Sequence, residues 1–139
     1  MISQIEQRLR KIMKLPSIKE KCTYFSQIMA LYSTQLSPPQ LAFWGRIWLQ
    51  LVSESLSWSD CEKVIRHLKD LVGDLINPTS IEINLWIDYV YTSFQRREAL
   101  VLFKTHLNAA KKLQDPRLIL WASLLTADAC TILLREFDT

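Results

Sequence analysis

The chain reads as all-α: a compact antiparallel bundle of six or seven helices around a central, tryptophan-rich helix. Three observations predict this. Apolar residues recur at three- and four-residue spacing along most of the sequence, which is the period of one helix face. No segment sustains the two-residue alternation of a half-buried strand, and only two glycines are present to build hairpin turns. Serine, threonine or aspartate, followed by proline or by glutamate three residues on, recurs at intervals suited to helices of ordinary length. At 139 residues the chain has the size of one domain, 1–139, able to bury roughly two thirds of its unfolded surface.

The elements follow in order. Ile2, Ile5, Leu9, Ile12 and Met13 make one stripe of a first helix, which Pro16 ends. Ser17 and Glu20 form a capping box for a second helix through Tyr32, burying Cys22, Phe25, Ile28, Met29 and Tyr32 in some combination. The central helix starts at Ser37 as N-cap and Pro38 at the first helical position, where a missing N–H costs nothing. Phe43, Trp44, Ile47, Trp48 and Leu51 give it the densest apolar load in the chain. Trp44 and Trp48 are expected not both to face solvent.

Ser59 and Glu62 suggest the next capping box, opening a helix with Cys61, Val64, Ile65, Leu68, Leu71, Val72 and Leu75 on one face, stopped by Pro78. Thr79 and Glu82 suggest a third box, before Ile81, Leu85, Trp86, Tyr89 and Val90. From Thr92 to Gln95 the pattern is ambiguous; a break is favoured, because an unbroken helix to Lys112 would exceed the usual globular length. Asp115 and Pro116 open a closing helix to about Arg135 that is apolar nearly all round, so it is expected to be buried or to meet a partner.

Composition removes whole classes of function. Nothing resembles a glycine-rich phosphate loop, a histidine pair at helical spacing or Glu-x-x-His, so no catalytic centre, metal or cofactor is expected, and the chain is read as not an enzyme. His67 and His106 fall on polar helix sides and read as surface residues. Cys22, Cys61 and Cys130 are odd in number and widely spaced, which fits small buried hydrophobes in a reducing compartment. The N-terminus lacks a continuous apolar core for secretion, and the apolar run from Leu118 to Leu134 contains Asp128 and falls short of a span of ~20 residues. A soluble cytoplasmic protein is expected, with no membrane and no small-molecule substrate.

Charge is what remains. The net charge is +3, and up to Leu36 six Lys or Arg face only Glu6 and Glu20. Candidate contacts to a nucleic-acid backbone are Arg8, Arg10, Lys11 and Lys14 on the first helix. Lys63, Arg66 and Lys69 on the fourth form a second group, and Arg96, Arg97, Lys104, Lys111 and Lys112 a later one. Not all of them can share one surface.

Three resemblances accompany this reading. The phrases FWGRIW, LWIDYV and LWASLL, headed by Trp44, Trp86 and Trp121, resemble the first helix of half-a-TPR repeats, which implies a protein-binding adaptor. Trp44-Gly45-Arg46-Ile47 with Trp86-Ile87 downstream also looks like two motifs of the BH-motif apoptosis regulators, although Phe43 precedes the first tryptophan where a polar residue is usual. As a whole, a small, mildly basic, helical chain without a catalytic centre is similar to the small helical subunits of multisubunit CRISPR effector complexes. That resemblance implies a non-catalytic role in antiviral defence, with other protein subunits and an RNA or single-stranded DNA backbone as partners.

Overall fold

Capping chemistry sets most of the helix boundaries. A computed structural model describes residues 3–55, 57–73 and 77–135, with 134 and 135 as backbone only. Among the described residues seven α-helices form: α1 Gln4–Ile12, α2 Ile18–Tyr32, α3 Pro38–Ser55, α4 Trp58–Val72, α5 Pro78–Ser93, α6 Glu98–Leu113 and α7 Pro116–Arg135. A 3-10 turn occupies Ser33–Gln35. No strand occurs among the described residues, so the all-α expectation holds.

Ser17 accepts the Glu20 N–H at 3.3 Å, as its spacing predicts. At α3 the box is reciprocal: Ser37 Oγ accepts from Gln40 N, and Gln40 Oε1 accepts from Ser37 N at 2.9 Å. Two starts differ from expectation. The residue before α4 is Ser57, which donates its hydroxyl to Asp60 and accepts the Cys61 N–H at its carbonyl, in place of the Ser59–Glu62 box. α5 starts at Pro78 because Asn77 Oδ1 accepts from Ser80 N at 2.9 Å. Pro78 therefore opens a helix instead of closing the one before it.

α4 ends one residue before Gly73, whose φ of +61° is the left-handed value glycine adopts freely. The ambiguous stretch is a break, with Gln95 at φ 59° between α5 and α6. A second left-handed glutamine, Gln114, ends α6, and Asp115 Oδ1 then accepts from Arg117 N and Leu118 N to start α7. Ile2, Asp74 and Leu75 lie outside the described residues.

The helices gather into two compact units, Met1–Leu71 and Val72–Thr139. In the first, α3 touches every other helix. Trp44 and Trp48 are both buried, at 3% and 2% exposure. Trp44 tilts against Phe25 of α2 and donates its indole N–H to Glu6 of α1. Trp48 donates to Ser26 of α2 and meets the His67 ring of α4 edge-on. α4 runs antiparallel to α3: Gly45 lies beside Leu68, and the Cys61 thiol donates to the Val52 carbonyl at 3.1 Å.

The second unit is an up-down-up bundle of α5, α6 and α7. Small and large residues share its core, Ala99, Ala110, Ala122 and Ala129 beside Phe103, Leu118, Leu125 and Leu133. α5 and α7 run parallel and in register, marked by Glu82–Arg117 at 2.8 Å, Trp86–Trp121 with centroids 5.7 Å apart, and Tyr89–Asp128 at 3.2 Å. α7 has 20 residues, so the apolar run expected to be too short belongs to a helix that is long and apolar enough, by length and composition, to cross a membrane. Leu118, Ala122, Leu125, Ala129 and Leu133 turn one face of it into the core, while Leu120, Trp121 and Leu124 are exposed.

Two substitutions check this packing. A Cβ on Gly45 would sit 3.6 Å from Leu68 Cδ2, an ordinary contact, so Gly45→Ala is expected to raise stability by about 0.5–1 kcal/mol by removing a mid-helix glycine. Trp48→Ala is expected to cost about 3–5 kcal/mol. Urea midpoints of the two variants should move in opposite directions.

Candidate nucleic-acid interface and an interhelical cleft

α1 is amphipathic in the simplest sense. Leu9 is fully buried, while Arg8, Arg10 and Lys11, together with Lys14 in the turn that follows the helix, are exposed. None of the four makes an ion pair or side-chain hydrogen bond among the described residues. Glu6, the one carboxylate of this helix, is turned inward, accepting from Trp44 Nε1 at 2.9 Å and from Gln40 Nε2 at 2.7 Å. Four cations within seven residues are thus left without a local counter-charge.

The α4 group is different. Lys63 lies 3.8 Å from Asp60 and Arg66 lies 3.2 Å from Glu62, while Lys69 is half-buried with interactions of its own. Exposed pairs of this kind have little energy, roughly 0–1 kcal/mol, yet they cancel charge where a phosphate would have to dock. In the later group Arg96 pairs with Glu98 at 3.5 Å. Arg97, Lys104 and Lys111 recur every seven residues on exposed positions with Lys112 beside them, and no Asp or Glu occurs from 99 to 114. Among the described residues this leaves basic faces without ion pairs on α1 and, at Lys104, Lys111 and Lys112, on α6, while Arg97 has interactions of its own.

Both histidines depart from the surface reading. His67 Nε2 lies 2.9 Å from the buried Ser33 hydroxyl. His106 Nδ1 hydrogen-bonds Asp88, a carboxylate of 1% exposure inside the second unit. Asp88 is consequently no part of the surface charge pattern. Ser33 and His67, and Asp88 and His106, lie on different elements 34 and 18 residues apart, so no periodicity within one helix pointed to either pair.

A cleft of about 610 Å³ opens between α2 and α4, with Trp48 and Ser55 of α3 lining it. Its α2 wall is the stripe Lys19, Cys22, Thr23, Ser26, Gln27 and Ala30, and its α4 wall is Asp60, Lys63, Val64 and His67. No known family model, curated protein or solved structure matches this chain. What it can bind is set by its own geometry. Among the described residues no group of three His, Cys, Asp or Glu could hold a metal ion.

The cysteines of the first unit are poorly placed to react. Burial pushes the Cys22 thiol up, and it pushes Cys61 up to about 11 with Cys22 and Asp60 adding to the effect. Both therefore stay protonated and weakly nucleophilic at neutral pH. Cys130 of α7 is half-exposed, and all three are free thiols.

A thiol whose folded pKa exceeds its unfolded value of 9.0 contributes stability below pH 9 and loses it as pH rises toward about 11. Urea midpoints should accordingly fall across that window, and Cys61→Ala should fall less steeply; in the native protein at pH 8 a thiol reagent should modify Cys130 first. His106→Ala removes one partner of a buried carboxylate and is expected to lower stability by about 3 kcal/mol, read from the same denaturant curve.

Proposed function

We propose that this chain is a non-catalytic, cytoplasmic helical subunit of a larger nucleoprotein assembly, holding the phosphate backbone of RNA or single-stranded DNA. The observation that carries the reading is the α1 face: Arg8, Arg10, Lys11 and Lys14 exposed and unpaired, with Glu6 withdrawn into hydrogen bonds to α3. Cations without counter-charges bind phosphates by releasing the strand's condensed ions, and they do so without reading bases. Lys104, Lys111 and Lys112 on α6 offer a second such face. Exposed Leu120, Trp121 and Leu124 on α7 suit packing against a neighbouring subunit. This division of labour is the one implied by the resemblance to small subunits of CRISPR effector complexes.

One observation favours a second reading. Trp86 and Trp121, 35 residues apart, pack together on parallel helices, which is how stacked helical repeats arrange equivalent positions, and a half-a-TPR-like adaptor would dock protein alone. Salt separates the two. Four phosphate contacts on a single strand give a slope of about −2.8 in log affinity against log salt, roughly fifty-fold between 50 and 200 mM. Anisotropy titration of a labelled oligouridylate should show that loss. Joint replacement of Arg8, Arg10, Lys11 and Lys14 by glutamate should abolish binding, while Arg66→Glu, already paired with Glu62, should leave it nearly unchanged. A protein partner held equally well at both salt concentrations, with no oligonucleotide bound, would decide for the adaptor.

A further inference from the structure

The hairpin of α6 and α7 carries cations and apolar side chains on one sector of its surface. On α6, His106 reaches Asp88 of α5, and Lys104 and Lys111 lie roughly 140–160° from it around the helix, which is the flank toward α7. Lys112 projects outward beside them, opposite the buried Phe103. On α7, Trp121 turns toward α5, where it meets Trp86. Leu120 and Leu124 project directly away from the core face of Leu118, Ala122 and Leu125, at 60% and 55% exposure. The two helices are antiparallel and joined through Gln114 and Asp115 alone. Lys111 and Lys112 therefore stand at the same end as Leu120 and Trp121, and Lys104 is level with Leu124.

The sign of this sector is positive. None of the three lysines makes an ion pair or side-chain hydrogen bond among the described residues. The negative C-terminal end of α6 meets the positive N-terminal end of α7, so the two helix dipoles offset each other there. Each nearby carboxylate is engaged: Asp115 accepts from the α7 backbone, Glu82 holds Arg117, and Asp128 accepts from Tyr89 on the α5 flank. The large apolar exposure ends after one turn, since Ala127, Asp128 and Thr131 follow Leu124 along the exposed side.

These features choose among occupants. A nucleic-acid strand would use the lysines and leave Leu120 and Leu124 in water, and a helix of another protein would need the apolar stripe to run on past Leu124. A bilayer surface uses both, meeting the lysines with anionic headgroups, the leucines with the acyl boundary and Trp121 with the interface between them. We propose that this end of the hairpin of α6 and α7 docks sideways on a membrane surface containing anionic phospholipid. α7 does not cross that membrane, because its other face stays in the core of the unit. Sequence patterning does not show the surface, because its cations and its leucines lie on different helices and meet only in the fold. The neighbour that α7 meets is then a lipid surface, and the proposal does not rest on the strand reading of α1.

Flotation of the full chain with phosphatidylcholine vesicles, with and without about one third phosphatidylglycerol, tests it. The anionic vesicles are expected to bind at least about tenfold more tightly. Bromine-labelled lipid chains should quench the fluorescence of the bound protein, and Trp121→Phe should remove most of that quenching. Joint Lys104→Glu, Lys111→Glu and Lys112→Glu should abolish the preference for anionic vesicles. Joint Leu120→Ser and Leu124→Ser should weaken binding at least about fivefold. All five positions are exposed, so thermal midpoints should not change. The variant with α1 reversed to glutamate should float as the parent does, whether or not it still binds oligouridylate, so this surface and the α1 face stand or fail separately. Equal binding to both vesicle types, no binding to either, or loss of flotation in the α1 variant would overturn the proposal, as would full binding in the lysine or leucine variant. Oligouridylate binding lost in the lysine variant of a chain that ignores vesicles would assign the sector to a strand and overturn it too.

Discussion

A buried indole N–H has to find an acceptor, and α3 carries two of them. Trp44 and Trp48 lie one helical turn apart, almost without exposure, so each requires a polar partner on whatever helix covers it. Trp44 takes Glu6 and Trp48 takes Ser26, and this choice orients α1 and α2 on α3. It also has an electrostatic result. Glu6 is drawn inward by the indole and by Gln40, and the cations of α1 lose the carboxylate that would otherwise lie among them. The same interaction that orders the first unit thus creates its most basic surface.

Local chemistry was the legible part of the fold. Ser17, Ser37 with Pro38, and Asp115 with Pro116 announce their helices because a cap is made by residues within three positions of one another. Pro78 was misread for a related reason: a proline is equally compatible with the end of one helix and the first turn of the next, and Asn77 decides between them. The left-handed turns at Gln95 and Gln114 escaped notice because glycine is the usual marker of that conformation. His67–Ser33 and His106–Asp88 join residues far apart in sequence, and no periodicity reports such pairs. The basic candidates were all visible as residue types, but which keep their charge depended on Asp60, Glu62 and Glu98, each sitting near its own cation.

The cleft between α2 and α4 was invisible for a third reason. Lys19, Cys22, Ser26 and Ala30 follow helical spacing, as do Asp60, Val64 and His67, yet spacing gives no sign that two such stripes face each other across a gap. Trp48, between the two helices, occupies the depth that would otherwise let them close, and its bond to Ser26 together with its edge contact to His67 ties it to both walls. A large side chain here acts as a spacer as well as a core residue.

No described hydrogen bond between helices joins residues more than 39 positions apart, and each compact unit occupies an uninterrupted half of the chain. Short loops cost little entropy to close, and helical topologies of this kind fold in microseconds to milliseconds. A ribosome adds roughly 5–20 residues per second, so the first unit has ample time to form before the second is synthesised. Translation rather than folding then sets the pace at which the two halves mature, and the α1 surface is complete while the rest of the polypeptide is still being made.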